Sequence, residues 1–149
     1  MGARAKSRKR AVDVLFESDQ RGVGLLDVLE ARLAHSGSET ALPRYTERIV
    51  RGVGARWGEI NGAIVAAAHE WSIDRMPAVD RAILRVSVWE ILAGDEVPVA
   101  VAIDQAVTLA GSLSTDDSPG FINGVLGTIA RENPRAEKAS PTIPGVPVE

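Results

Sequence analysis

The amino-acid sequence predicts an all-α protein. Apolar residues recur at helical spacing along almost the whole chain, as Ile122, Val125 and Ile129 do near its end. No segment alternates convincingly between apolar and polar residues, and the best strand candidate, VPVAVAI at 97–103, continues into a helical pattern. Glycine, proline or polar clusters interrupt the helical pattern at intervals, which predicts several helices joined by turns.

In the first half of the chain, the apolar spacing predicts helices that are separated by glycine-rich or polar segments. In chain order these are a helix over 4–20, a short helix over 25–33, a loop at 36–43 and helical segments from 45 to 71. Gly22 and Gly24 end the first helix. The glycines between 52 and 62 each weaken helix propensity by up to ~1 kcal/mol relative to alanine. That region therefore predicts either closely packed helices or one kinked helix.

Three more helices are expected in the second half. Pro77 and Pro98 open two of them, because proline is tolerated in the first turn of a helix. The last begins in the stretch STDDSPGFINGVLG, where Ser118 is the expected N-cap and Pro119 suits the first turn. Residues 133–149 hold four of the eight prolines and are predicted to form a disordered tail.

Composition excludes several classes of protein. No apolar run approaches the ~20 residues that span a bilayer, and the N-terminus lacks the apolar stretch of a signal peptide. The chain has no cysteine, so disulfides and thiolate chemistry are excluded. We therefore expect a cytoplasmic protein that makes no contact with membranes.

Charge is distributed unevenly along the chain. The first ten residues carry no acid and five cations, Arg4, Lys6, Arg8, Lys9 and Arg10, which we call the basic segment. The rest of the chain carries 12 basic and 20 acidic side chains. A basic segment on an acidic body is typical of a protein that binds nucleic acid along one edge. The alternative is a solvated, frayed N-terminus.

No catalytic, metal or cofactor site is recognisable in the sequence. His35 and His69 lack metal-ligand spacing. The glycine-rich GVGARWG at 52–58 follows no strand and lacks the Lys-Ser or Lys-Thr of a phosphate-binding loop, so close helix packing explains it better. Asp116 and Asp117 precede a helix, where acidic residues act as caps and dipole partners. We predict that the protein is not an enzyme.

Three stretches of the chain resemble the NusB family. SRKRAVDVLFESD at 7–19 resembles the arginine-rich first helix of these proteins, and EWSIDRMPAVDRAILRVSVWEIL at 70–92 resembles their longest signature. VPVAVAIDQAVTLAGSLSTDDSPGFINGVL at 97–126 resembles the closing signature, which ends in Phe-Val/Ile-Asn-Gly-Val-Leu. In order and spacing, the resemblance covers residues 3–131.

The resemblance implies both a fold and a function. NusB-like proteins have about seven helices in two small subdomains packed across each other, which here correspond to about 1–72 and 73–132. They are transcription antitermination factors that bind single-stranded boxA RNA of nascent ribosomal RNA transcripts together with the ribosomal protein NusE. In the transcription elongation complex they help RNA polymerase to read through terminators. A homodimer is left open, and the alternative function is a helical protein–protein interaction module with an incidental basic segment.

The candidate RNA contacts form two groups. The first is the basic segment, in which Arg8 and either Lys9 or Arg10 are expected on the solvent face of the first helix. The second lies at the start of the last helix, where Phe121 is expected to stack on a base, unless it is a core residue. There Asn123 is expected to bond a base edge or to cap or bridge helices, and Asp117 to contact a base edge or act as a cap.

The resemblance also suggests a surface that faces NusE. The candidates there are Arg75, Asp80 and Arg81, with Asp80 the best single candidate. The alternative is an exposed helix face with ion pairs between neighbouring turns. Trp71 and Trp89 are expected in the core.

Overall fold

The protein is built almost entirely of helix. The computed structural model describes residues 2–34, 41–69, 71–94 and 96–134. Within these ranges there is one short 3₁₀ helix, Ile73–Arg75, and no strand, so the all-α prediction is confirmed. The α-helices are α1 (Ala3–Arg21), α2 (Leu25–Ala34), α3 (Arg44–Ala55), α4 (Trp57–Ala68), α5 (Ala78–Leu92), α6 (Val99–Leu113) and α7 (Ser118–Glu132).

α5 is the central helix. It is buried around almost its whole circumference and contacts α1, α3, α4, α6 and α7, because a helix that is apolar on most sides must be surrounded by others. α1, α2 and α3 pack together as one group, and α4, α6 and α7 pack with α5 as another. α4 contacts α5 and α7 more extensively than α3, although the predicted boundary near residue 72 placed it with the first half. The division into two subdomains stays a prediction.

An ion pair lies near each end of the contact between α1 and α5. Nε of Arg8 is 2.8 Å from Oε1 of Glu90, and Nε of Arg81 is 2.8 Å from Oδ2 of Asp19. The first pair joins the start of α1 to the end of α5, and the second joins the end of α1 to the start of α5. The two helices are therefore antiparallel.

Glycine has a defined role at two positions. Gly22 follows α1 with a φ of 64°, the left-handed conformation in which glycine commonly ends a helix. Gly52 on α3 lies against the indole of Trp89, where a Cβ atom would be 2.0 Å from Nε1. The glycine-rich stretch thus permits close packing of α3 on α5, as predicted, and α3 and α4 are two helices that meet at Arg56.

One predicted helix boundary is corrected by the structure, and two predicted segments lie outside the described residues. Ser118 is the first residue of α7, and Asp117 occupies the N-cap position that was predicted for Ser118. The part of the predicted tail that follows Pro134 lies outside the described residues. Most of the loop predicted at 36–43 also lies outside them. In the described ranges no helix is long and apolar enough to cross a membrane, and no group of potential ligands is arranged to hold a metal ion.

Candidate nucleic-acid interface

The basic segment forms the first two turns of α1. Arg4, Lys6 and Lys9 are exposed there, and Arg10 is partly exposed. A helix distributes successive side chains around its axis, so the cations of this segment do not share one face. Four of the five cations therefore reach the surface, and Arg8 points into the core.

Arg8 is a core residue. Its side chain is 5% exposed, and its Nε donates to both carboxylate oxygens of the fully buried Glu90, at 2.8 and 3.0 Å. The prediction that Arg8 lies on the solvent face is wrong. The physical reason is spacing, because Arg8 precedes Ala11 and Leu15 by three and seven positions and shares their buried face. Arg8 is thus excluded from the candidate RNA contacts.

Tyr45 completes the buried network around Glu90. Its hydroxyl donates to Oε2 of Glu90 at 2.6 Å, and its ring contacts that of Trp89 edge to face, with 6.4 Å between centroids. Burial, followed by the hydrogen bond to the Glu90 carboxylate, raises the pKa of Tyr45 well above its ordinary value. The phenol is therefore held in its neutral form as a donor.

The single tyrosine of the chain makes this network directly testable. We expect Tyr45 in the folded protein not to ionise near pH ~10, where the tyrosine of an unfolded chain titrates. The stability that its raised pKa contributes is complete below that pH and is lost as the pH rises toward the folded-state pKa. The near-ultraviolet absorbance of tyrosinate, recorded against pH with and without denaturant, measures both titrations. Coinciding titration curves would show that the phenol is neither buried nor bonded to Glu90.

A cavity of about 210 Å³ lies beside the N-terminus of α7. Its lining consists of Trp71, Met76, Pro77, Asp80, Thr115, Asp117, Ser118 and Phe121. Phe121 is half-buried, and its ring contacts that of Trp71 edge to face, with centroids 6.4 Å apart and an interplanar angle of 68°. Phe121 is therefore neither a fully buried core residue nor an isolated exposed ring. Together with Trp71 it gives the cavity an aromatic wall.

Asp80 is the buried polar residue of this cavity. It is 2% exposed, and its two carboxylate oxygens accept hydrogen bonds from the hydroxyls of Ser114 and Ser118, at 2.6 and 2.9 Å. Contrary to the prediction of a partner contact, Asp80 does not present its carboxylate at the surface. It joins the start of α5 to the turn before α7, because a buried carboxylate needs donors from its own chain.

The other two predicted partner contacts have different surroundings. The side chain of Arg81 is 14% exposed and pairs with Asp19. Its Nη1 donates to the carbonyl oxygens of Ile73 and Met76, at 3.3 and 2.7 Å, which fixes the 3₁₀ segment against α5. Arg81 thus points inward, against the prediction, because those backbone acceptors need a donor. Arg75 is exposed at the end of the 3₁₀ helix.

Asn123 and Phe121 face different sides of α7. Asn123 is exposed and lines a groove between α6 and α7 together with Ile103 and Asp104, whereas Phe121 lines the aromatic cavity with Asp117. Positions two apart on a helix do not share a face. The structure therefore separates the two predicted base contacts, and it places Asp117, which is exposed, with Phe121.

The predicted RNA contacts also divide along α5. The basic segment lies near the C-terminal end of α5, where Arg8 pairs with Glu90, and the aromatic cavity lies at its N-terminal end, beside Asp80. Ten residues of α-helix rise about 15 Å. The basic segment and the aromatic cavity are thus two patches of the candidate interface, about 15 Å apart along the axis of α5.

Two features of this surface were missed from the sequence. Trp71 was expected in the core and is 50% exposed, whereas Trp89 is buried as predicted. Exposed Arg44 and Arg48 lie on α3, which packs against α1 and its basic segment, whereas Arg51 pairs with Glu30 of α2. The spacing of Arg44 and Arg48 by four positions was a readable signal of one helix face. The exposure of Trp71 had no such signal, because the helical period of apolar residues continues to position 71, whereas α4 ends at Ala68.

Comparison with known proteins identifies the family. The sequence pattern of the NusB family matches residues 5–131, which is most of the chain. The chain belongs to the NusB family. Among its relatives, the transcription antitermination protein NusB of Beutenbergia cavernae is 48% identical over 150 aligned residues, which cover 94% of this chain and 98% of the relative. The chain is accordingly a transcription antitermination factor and not an enzyme.

Solved NusB structures share the fold described above. NusB from T. maritima is 31% identical, with a TM-score of 0.78 over 91% of this chain and 96% of that one. A structure of the antitermination factors NusB and NusE in complex with dsRNA is 24% identical, with a TM-score of 0.73 over 87% of this chain and 96% of that one. NusB from Aquifex aeolicus is also 24% identical, with a TM-score of 0.72 over both whole chains. At 24% identity, the last two establish the fold alone.

Proposed function

We propose that this NusB-family protein binds single-stranded boxA RNA of nascent ribosomal RNA transcripts together with the ribosomal protein NusE. In the elongation complex, this binding supports read-through of terminators by RNA polymerase. The observation that carries the proposal is the aromatic cavity at the start of α7, which Phe121 and Trp71, in edge-to-face contact, line together with the exposed Asp117. Membership of the NusB family supports the function, and a NusB of the same fold solved with NusE and dsRNA supports NusE and RNA as partner classes.

The aromatic cavity has the chemistry of a base-binding site. Sequence-specific proteins bind single-stranded RNA by stacking unpaired bases on aromatic rings and by hydrogen bonding to the base edges. Phe121 and Trp71 provide ring surface, and the exposed carboxylate of Asp117 accepts hydrogen bonds from a base edge.

The basic segment is the proposed phosphate-binding patch. Arg4, Lys6, Lys9 and Arg10 reach the surface of α1, whereas Arg8 does not. Each phosphate of a single strand that a cation neutralises steepens the logarithmic salt dependence of binding by ~0.7. Because α5 is buried, a strand that contacts both patches crosses the surface above it and spans at least the ~15 Å rise of ten helical residues. The exposed Asn123 and Arg75 remain the proposed contacts to a base edge and to NusE, respectively.

Substitution of Phe121 tests the base-binding role. We expect Phe121→Ala to weaken binding of boxA RNA by ~1–3 kcal/mol, because one stacked base loses its ring. Phe121→Tyr keeps the ring and serves as the matched control. Fluorescence anisotropy of a labelled boxA RNA and of a scrambled RNA, with and without NusE across a salt series, measures affinity and preference together.

Two outcomes would contradict the proposal. Equal affinity for boxA and scrambled RNA, unchanged by NusE, would favour a helical protein–protein interaction module with an incidental basic segment. If Phe121→Ala lowered the melting temperature but left the preference for boxA intact, the ring would serve packing against Trp71 instead of RNA recognition.

A further inference from the structure

Arg48 on α3 and Arg4 on α1 converge on one carboxylate. Nη2 of Arg4 is 3.0 Å from Oε2 of Glu96, and Nη1 of Arg48 is 2.5 Å from Oε1 of the same residue. All three side chains are more than two-fifths exposed, and Glu96 lies in the connection between α5 and α6. Glu96 thus joins Arg4 of the basic segment to Arg48, which lies outside that segment.

Both guanidinium groups lie over aromatic rings. Cζ of Arg4 is 4.7 Å from the ring centroid of Tyr45, and Cζ of Arg48 is 5.8 Å from that of Trp89. The two rings contact each other and are fixed by the hydrogen bond from Tyr45 to the buried Glu90. A guanidinium that packs on a fixed ring is pre-oriented, so less side-chain entropy is lost when its N–H groups bind an anion.

We propose that Arg48 binds a phosphate of the same RNA strand as the basic segment, and that Glu96 occupies this phosphate position in the free protein. Carboxylates and phosphates both present paired oxygens to a guanidinium, so one replaces the other with the same donor geometry. Exposed ion pairs are weak, and an RNA phosphate therefore displaces Glu96 at small cost. This inference rests on the proposed RNA binding and extends its surface from α1 onto α3.

The position of α3 supports an RNA strand as the ligand. α3 packs directly against α1, and the hydroxyl of Thr46 donates to the backbone carbonyl of Ser7 at 2.8 Å, within the basic segment. The exposed Arg44 lies one helical turn before Arg48. A row of cations that continues from one helix to the next fits the repeated phosphates of a nucleic-acid strand.

The pair formed by Arg51 and Glu30 provides a matched control. Like Arg48 and Glu96, it joins an exposed arginine of α3 to an exposed glutamate of another segment, at 3.2 Å, but it lies toward α2. The four variants are Arg48→Gln, Glu96→Gln, Arg51→Gln and Glu30→Gln. Each changes one exposed charge, and melting temperatures establish that each variant is folded.

The experiment measures boxA RNA affinity by anisotropy across a salt series. We expect Arg48→Gln to lower the affinity several-fold and to reduce the logarithmic salt slope by ~0.7, since one phosphate contact is lost. We expect Glu96→Gln to raise the affinity roughly two- to fivefold at low salt, with a smaller gain at high salt, because it removes the competing carboxylate. Arg51→Gln and Glu30→Gln should leave the slope unchanged.

Failure of this inference is distinguishable from failure of the proposed function. If Arg48→Gln behaved like Arg51→Gln, or if Glu96→Gln weakened RNA binding, the inference would be overturned even while the unaltered protein bound boxA RNA. In the second case, Glu96 would be orienting the arginines. If the unaltered protein did not prefer boxA RNA, the proposed function itself would fail, and this inference with it.

Discussion

Replacing Arg8 with methionine is expected to lower the free energy of unfolding by about 3–5 kcal/mol. The substitution leaves Glu90, which is fully buried, without the guanidinium that bonds both of its carboxylate oxygens. The hydroxyl of Tyr45 would remain as a neutral donor, which does not compensate a buried charge. Urea denaturation followed by circular dichroism measures the loss.

The neighbouring Lys9 provides the control for this substitution. Lys9 is exposed on the same turn of α1, so Lys9→Met should change the stability by no more than ~0.5 kcal/mol. The double variant Arg8→Met with Glu90→Leu should recover much of the loss, because it removes the unpaired charge together with its partner. Equal losses in the Arg8 and Lys9 variants would show that the buried pair does not form.

Gly52→Ala is the second substitution with a large expected effect, a loss of about 1–3 kcal/mol from overpacking. The added Cβ atom would lie 2.0 Å from Nε1 and 2.4 Å from Cε2 of Trp89, so the indole must move. Trp89 is 5% exposed and sits in the packed contact of α3 with α5, where such a movement displaces other core side chains. Chemical denaturation gives the stability, and tryptophan fluorescence reports the displaced indole.

Gly62→Ala makes the same chemical change in a helix with open space around it. Nothing lies within 4 Å of a Cβ atom at Gly62, so alanine should raise the stability by up to ~1 kcal/mol through its better helix propensity. The two substitutions are therefore expected to have opposite signs. A stabilising effect at both positions would mean that Trp89 yields without cost, and that Gly52 is not needed for packing.

Local rules account for most of the fold. The helical spacing of apolar residues, together with punctuation by Gly22, Pro77 and Pro98, predicted helices close to their observed bounds. The bounds of these helices were predictable because each depends on residues within a few turns of one another. Close packing was predicted for the glycine-rich stretch at 52–58, but its partner Trp89, 37 positions beyond Gly52, was not.

The candidate interface was less predictable because its polar contacts are long-range. Arg8 has helical spacing to Ala11 and Leu15, but its charge favoured the solvent, and its partner Glu90 is 82 positions away. Asp80 was similarly expected at the surface, since its donor Ser118 lies 38 positions further along the chain. A charged residue is buried only where an opposite charge or a hydrogen-bond donor or acceptor pairs with it. A single sequence does not show which residue provides that partner.

The pairing of α1 with α5 determines when during translation the two helices can pack together. Arg8 is translated 82 residues before its partner Glu90. At 5–20 residues per second, about 4–16 s separate the two events. During that interval α1 has no buried anion to receive its guanidinium, so the N-terminal helices do not complete their core while the chain is half made. We therefore expect the packed contact between α1 and α5 to form only once α5 has emerged from the ribosome.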